Sequence, residues 1–175
     1  MSWTFRRATP ADVHVVVALV ESAYRGDVSR DGWTTEADLL DGQRTDADDV
    51  LSCIERPRSV ILLAEPAGEI VACAHVAAED DAGYFGMFAV TPGLQGGGID
   101  SRVLVEAERI VRDEWCLQSM RMTVIDVREE LLAYYERRGY ARTGIKKPFP
   151  YGDERFGKPR RSDLRFEVLE KRFVP

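Results

Sequence analysis

The sequence lacks any long apolar run. The longest, over 15–20 and 59–64, fall far short of the roughly 18 residues of a membrane-crossing helix, so no transmembrane helix and no membrane partner are expected. Arg6 and Arg7 precede the polar Thr9-Pro10-Ala11-Asp12 instead of an apolar stretch with a small-residue cleavage site. That argues against a secretory signal and makes the cytoplasm the expected compartment. Histidine is scarce: His14 and His75 are the only two in 175 residues. Neither stands at ligand spacing from a cysteine or carboxylate, so no metal site is expected. Cys53, Cys73 and Cys116 are odd in number, far apart and set among apolar neighbours, the pattern of buried free thiols. An excess of basic charge is also missing. The net charge of −6 argues against general nucleic-acid binding, which needs a clustered cationic face.

What is present is the composition of one ordinary soluble domain, 45% hydrophobic and 31% charged. It is long enough to bury a core without metal or disulfide. No repeat, low-complexity tract or linker divides it, so a single domain over 1–175 is expected. Charge is uneven along the chain. Glu36, Asp38, Asp41, Asp46, Asp48 and Asp49 crowd one stretch with Arg44 as its sole base, whereas 155–172 is rich in Arg and Lys. The acidic stretch reads either as a solvated helix face or as an attraction for a cationic acceptor.

Periodicity supplies the elements. Residues 3–6 alternate as a strand, and Thr9-Pro10-Ala11-Asp12 offers an N-cap, a proline at the first helical position and a first-turn carboxylate. Val13, Val16, Val17, Val20 and Tyr24 then recur at helical spacing up to Gly26. Thr34 or Thr35 can cap a short helix through Leu40, and Thr45 another that Pro57 stops. The β-rich runs 59–65 and 69–77 flank Pro66-Ala67-Gly68 as a hairpin, with a third run at 83–90. A helix from Gly98 to about Trp115, a strand over 119–126, a helix over 128–138 closed by Gly139, and strands over 140–144 and 164–172 complete the chain. The central meander implies antiparallel pairing, and each strand-helix-strand crossover implies parallel pairing. The expected fold class is therefore α/β (α+β) in three layers, a mixed, mostly antiparallel sheet of about seven strands flanked by helices.

The segment Val90-Thr91-Pro92-Gly93-Leu94-Gln95-Gly96-Gly97-Gly98-Ile99-Asp100-Ser101 runs from a strand into a helix through a Gly-rich turn. Its amide groups can converge on an anion at the positive end of the helix. Standing alone, it is as readily a flexible turn. It lacks the Gly-Lys-Ser/Thr of a Walker A loop and the spacing of a Rossmann fingerprint. Gln95-Gly96-Gly97-Gly98-Ile99, following Met87-Phe88-Ala89-Val90-Thr91-Pro92, resembles the Gln/Arg-x-x-Gly-x-Gly/Ala signature of the GNAT superfamily of N-acetyltransferases. Leu132-Ala133-Tyr134-Tyr135-Glu136-Arg137-Arg138-Gly139-Tyr140 resembles that family's aromatic-Tyr-Glu-x-x-Gly-aromatic helix ending. The order of elements agrees over nearly the whole chain.

The resemblance implies acetyl-CoA as donor, a primary amine as acceptor and direct attack in a ternary complex. It implies that Gln95, Gly96, Gly97, Gly98, Ile99, Asp100 and Ser101 cradle the pyrophosphate. It further implies that strand 84–90 holds the pantetheine arm, with the amides of Met87, Phe88, Ala89 and Val90 facing it and one polarising the thioester carbonyl. Tyr135 matches the tyrosine that protonates the departing thiolate. A phenol suits that task, because its ordinary pKa near 10 lies close to that of an alkyl thiol. Periodicity alone makes Tyr135 equally an inward aromatic of its helix, and Tyr134 is a rival at a position the motif usually fills with an apolar residue. Relatives with a Glu or His base on the central strand place it where this sequence has Tyr84, a weak base unless its pKa is lowered. Glu79 or Asp80 acting through water, or an amine that arrives neutral, are the other options. Two residues depart from the pattern. Arg128 replaces the Asn before the second helix, and Asp100 replaces the last Gly or Ala of the loop, bringing a negative charge near a bound pyrophosphate.

Residues 147–161 join the last two strands without periodicity, a length usually functional or disordered, and three aromatics favour an ordered flap. Closing it over 24–44 would form an acceptor pocket containing Tyr24, Trp33, Glu36, Asp41 and Tyr151. A dimerisation arm or a packed surface loop is the competing reading, and a homodimer is a family-level expectation only. Cys73 and Cys116 have no His partner to activate them, which disfavours a covalent intermediate. Small-molecule amines and peptide amino groups both fit as acceptors. The missing carboxylate on the central strand motivates an alternative, a non-catalytic acyl-CoA-binding or interaction domain of the same fold.

Overall fold

Side chains alternate along residues 59–66 so that Ile61 and Leu63 join one apolar cluster and Leu62 and Ala64 another. That is the period-two pattern of a strand covered on both faces. The structure, a computed structural model of the chain, describes residues 3–26, 29–30 and 35–175. In chain order the strands are β1 (Trp3–Arg7), β2 (Leu40–Asp41), β3 (Ser59–Pro66), β4 (Ala72–Glu79), β5 (Ala82–Val90), β6 (Ser119–Ile125), β7 (Ala141–Pro148), β8 (Lys158–Pro159) and β9 (Arg165–Arg172). The helices are α1 (Val13–Tyr24), α2 (Ala47–Glu55), α3 (Ile99–Arg109) and α4 (Glu129–Glu136). Seven strands make one mixed sheet in the order β1-β3-β4-β5-β6-β9-β7, and β2 pairs with β8 apart from it. Helices α1 and α2 pack with Ile61, Leu63 and Cys73 on one face, and α3 and α4 with Leu62, Val76 and Phe85 on the other. The three-layer α/β arrangement is the one that the patterning implied.

Local signals fix several boundaries. Thr9 and Asp12 form a capping box around a 3-10 turn, Pro10–Asp12, that leads into α1. Ala67 and Gly68 both have positive φ, 54° and 84°, the geometry of a tight hairpin between β3 and β4. The cap of α2 is Asp46, whose side chain accepts from the amide of Asp49 at 2.8 Å. Thr45, one residue earlier, bonds the Asp49 carboxylate instead.

Three expectations are corrected. No helix follows Thr35. A single turn closes from Leu40 N to Glu36 O, after which Leu40 and Asp41 pair with Pro159 and Lys158, so a long-range ladder replaces local helix propagation. Thr34 lies outside the described residues. The second crossover does not pair its strands, because β9 enters antiparallel between β6 and β7. Only β5 and β6 are parallel neighbours. Finally, Cys53 and Cys73 are buried but Cys116 is exposed, held at φ 56° in the bend after the helical segment that extends α3 as a π turn, Ile110–Glu114. Among the described residues no helix is long and apolar enough to cross a membrane.

The joint between α2 and the sheet is polar. Ser59 Oγ donates to the Cys53 carbonyl at 2.7 Å and lies 2.8 Å from His75 Nε2, which Arg56 Nη2 approaches to 3.3 Å. Burial, helped by the Arg56 guanidinium, pushes the His75 pKa down to about 4. The unfolded chain takes that proton near pH 6.5, the folded chain only near pH 4, so stability is complete above pH 6.5 and falls as pH drops through this window. The loss from this group should total about 3 kcal/mol. Urea denaturation between pH 7 and 4 should show the decline, and His75→Gln should flatten it. An undiminished slope in the variant would exclude His75 as its source.

Candidate active site

β5 and β6 share only two register positions, Gly83 with Met120 and Tyr84 with Arg121. Beyond them each strand stays with its outer partner, β5 with β4 and β6 with β9, and the two part. β5 also bulges. Cys73 opposes Ala89 and His75 opposes Gly86, leaving Met87, at φ 50°, and Phe88 outside the regular register. The hydroxyl of Tyr24, on α1, donates to the Phe88 carbonyl and pins the bulge. Between the parted strands lies a cavity of about 330 Å³ lined by both of them, by α4 and by the 149–150 segment. Met87 and Phe88 bury their side chains in the clusters on opposite faces of the sheet, so it is their backbone that edges the opening.

The Gly-rich segment continues from the C-terminal end of β5, where the strands part. Gly98 is the N-cap of α3 at φ 83°, and no side chain caps the helix. A Cβ built on Gly96 or Gly98 meets nothing within 4 Å, so the space before the helix is open. Asp100 in the first turn does not face that opening. It is 7% exposed, accepts a 2.6 Å hydrogen bond from Tyr134 Oη and has Arg138 at 3.7 Å. Arg138 also lies over the Tyr134 ring and donates to Ser101 Oγ at 3.1 Å, so the carboxylate is part of a latch between α3 and α4.

The neighbouring tyrosines thus divide. Tyr134 is bound to Asp100, whereas Tyr135 lines the cavity with its ring edge-on to Tyr134 and Tyr140 at 5.2 and 6.0 Å. Burial raises the Tyr135 pKa well above the ordinary tyrosine value, so the phenol stays protonated. Tyr84 also lines the cavity, its ring lying over Gly86, where any side chain would strike it. Burial raises its pKa too, the opposite of what a base needs. Glu79 is exposed at the end of β4 and lies with Asp80 and Arg121 in a second hollow that shares Tyr84, Met122 and Thr123 with the cavity but not Tyr135. Cys53 sits 3.8 Å from His75, but burial lifts its thiol to about 11, leaving no thiolate at neutral pH.

The wall opposite is built by the segments that carried no periodicity. Arg160 N donates to the Leu39 carbonyl at 2.8 Å, and β8 pairs with β2, so the 147–161 segment is fastened to 36–43. Phe149 and Pro150 reach the cavity. Tyr151 does not. It is exposed, its hydroxyl bonded to the Arg161 carbonyl and the Leu164 amide, and it packs on Phe149 at 5.0 Å. Asp41 also lies outside, in a neighbouring groove with Arg30 and Arg160, and Trp33 falls outside the described residues.

Glu36 and Tyr24 do line the cavity. Glu36 is buried between two guanidinium groups, Arg25 at 2.7 Å and Arg128 at 3.2 Å. Burial opposes its charge, but Arg128, Arg25 and Arg44 outweigh this and hold its pKa below the usual range. The three arginines were missed as cavity residues by sequence reasoning. The only signals were Arg44 as an isolated base among acids and Arg128 as a departure from a motif. Of the acidic residues of the stretch, Asp38, Asp41 and Asp48 are exposed, Asp46 and Asp49 are half-buried and Glu36 is buried. Among the described residues, no group of three or more His, Cys, Asp or Glu is placed to hold a metal ion.

Comparison with known proteins meets this geometry. The family model described as acetyltransferase (GNAT) family matches residues 19–140. The solved structure of the ribosomal-protein-S18-alanine N-acetyltransferase of Escherichia coli superposes with a TM-score of 0.72 at 11% identity, covering 99% of this chain and 96% of that one. The PaiA N-acetyltransferase of Thermoplasma acidophilum, solved in complex with coenzyme A, gives 0.68 at 14% identity, with 99% and 100% covered. The ribosomal-protein-alanine N-acetyltransferase of Brucella melitensis gives 0.70 at 19%, with 97% and 99% covered. These likenesses concern the fold. No curated protein matches the sequence. With the family model spanning most of the chain and the parted strands, bulge and Gly-rich helix entry in place, the chain belongs to the acetyltransferase (GNAT) family.

Proposed function

We propose that the protein transfers the acetyl group of acetyl-CoA to a primary amine by direct attack in a ternary complex. The observation that carries this reading is the cleft between β5 and β6, whose free β5 edge leads at one end to the uncapped N-terminus of α3 and whose wall includes Tyr135. In this reading the amides of Gly96 to Ser101 receive the pyrophosphate at the positive end of α3. The unpaired edge of β5 receives the pantetheine arm as an added strand, and an amide of the Met87–Val90 bulge polarises the thioester carbonyl. The neutral amine attacks the carbonyl carbon, the C–N bond forms and the C–S bond breaks. The sulfur takes the Tyr135 hydroxyl proton, the nitrogen gives up one proton, and Tyr135 recovers a proton through cavity water. Burial raises the phenol pKa, but it raises that of a thiol in the same cavity as well, so the transfer stays nearly balanced.

No base is free in the cavity among the described residues. Glu36 is engaged by two arginines, and the Tyr84 pKa is raised. The acceptor therefore enters as the neutral amine or loses its proton to water. That same lack of a base favours the second reading, a binding domain without turnover. Calorimetric binding of acetyl-CoA without release of CoA thiol on any amine would select it.

Three outcomes test the first reading. Tyr135→Phe should leave the acetyl-CoA Kd nearly unchanged and lower kcat by about 10- to 10⁴-fold; an unchanged kcat with chemistry rate-limiting would remove the acid from Tyr135. The profile of kcat/KM against pH should rise about tenfold per unit up to the amine pKa and show no alkaline fall below about pH 10, since Tyr135 remains protonated there. Gly98→Val should abolish acetyl-CoA binding in calorimetry while the protein still unfolds cooperatively. Its backbone angle costs a branched residue about 1–2 kcal/mol, and its side chain fills the open space before α3. Full affinity in that variant would move the phosphate site elsewhere.

A further inference from the structure

Among the described residues lining the cavity, guanidinium groups outnumber carboxylates. Among the described residues that line it, the charged groups are Arg25, Arg44, Arg128 and Glu36. Glu36 is shared between Arg25 and Arg128, with side chains of all three no more than 10% exposed. Arg44 is different. Among the described residues no carboxylate lies within salt-bridge distance of its guanidinium, which sits 5.3 Å from the centre of the Tyr24 ring. Burial opposes its charge, but the more distant Glu36 and Asp49 carboxylates and the Tyr24 ring keep it protonated. The rest of the wall, including Leu40, Ile125, Leu131 and Phe149, offers no anion. The position is nevertheless prepared: Glu21 Oε1 accepts the amides of Arg44 and Thr45 at 2.6 and 2.9 Å, fixing the backbone from which Arg44 reaches inward. A cation held in place, lining the cavity and touched by no carboxylate among the described residues, can form its direct ion pair with a ligand.

We propose that the acceptor is a small amino acid, an amine whose own carboxylate pairs with Arg44 beside the Arg25–Glu36–Arg128 cluster. This rests on the transferase reading and narrows it. The cavity repels diamines and polyamines, whose second ammonium would face three guanidinium groups. It also ranks an amino acid above its own amide, in which the group facing Arg44 is neutral. Tyr24 joins the two functions, because its ring supports Arg44 while its hydroxyl holds the Phe88 carbonyl of the bulge, so the anion is seated close to the strand proposed to hold the thioester.

The test uses the whole protein with acetyl-CoA and a panel of α-amino acids, each beside its α-amide and the amine lacking the carboxyl group, together with spermidine and a tetrapeptide bearing an internal Asp. CoA-thiol release should favour at least one free amino acid over its amide by 100-fold or more in kcat/KM, mostly through KM. Arg44→Met should bring that ratio below about 5, and Arg44→Lys should restore part of it, with both variants melting near the parent temperature. Equal rates on acid and amide, preference for spermidine or for the tetrapeptide, or an acid-to-amide ratio unmoved by Arg44→Met would overturn the proposal while leaving the transferase reading intact. If no amine turns over, calorimetry with the same amino acids in the presence of CoA decides. Carboxylate-dependent binding that Arg44→Met abolishes keeps the anion site and overturns transfer, and binding to none of them overturns both.

Discussion

β5 and β6 are neighbours that cannot stay together. β6 is paired along its whole length with β9, from Ser119 opposite Arg172 to Ile125 opposite Phe166, and β5 along most of its length with β4. Between them only Gly83 and Tyr84 of β5 find partners on β6, Met120 and Arg121. The β5 amides and carbonyls that β6 would have satisfied still need partners; Tyr24 supplies one to the Phe88 carbonyl, and an extended ligand can supply others. The bulge at Met87 and Phe88, the entry to α3 and the placement of Tyr135 all take their positions from this parting.

Charge placement follows the same geometry. A carboxylate at the first turn of α3 would repel an anion at that helix end, yet Asp100 is turned into the α3–α4 contact, where Tyr134 and Arg138 hold it. Arg128, at the start of α4, sends its guanidinium across to Glu36 instead of only shaping the helix start. The two departures from the family motif are therefore structural pairs, and the second brings a cation into the cavity wall.

The roof depends on pairing between segments more than a hundred residues apart. β2 meets β8, Arg160 reaches the carbonyls of Leu39 and Ala37, and Phe149 packs with Leu40. None of these contacts has a local periodic signature, because a two-residue strand and a loop carry no amphipathic repeat.

Sequence by itself determined the layers and the likeness to a family. Apolar periods of 3.6 and 2 depend only on which side of an element is buried, so α1, α3, α4 and the β3–β5 meander were legible, as were the Gly-rich entry to α3 and the Tyr135 helix ending. Tertiary structure alone decided the insertion of β9 between β6 and β7, the conversion of the segment after Thr35 into β2, and the exposure of Cys116. It also decided the sign of the cavity. The acidic stretch around Arg44 is negative when read along the chain, but Asp38, Asp41 and Asp48 are exposed, Glu36 is held by Arg25 and Arg128, and Arg44 lines the cavity. Charge in a pocket is set by the direction of side chains after long-range pairing, which no local pattern encodes.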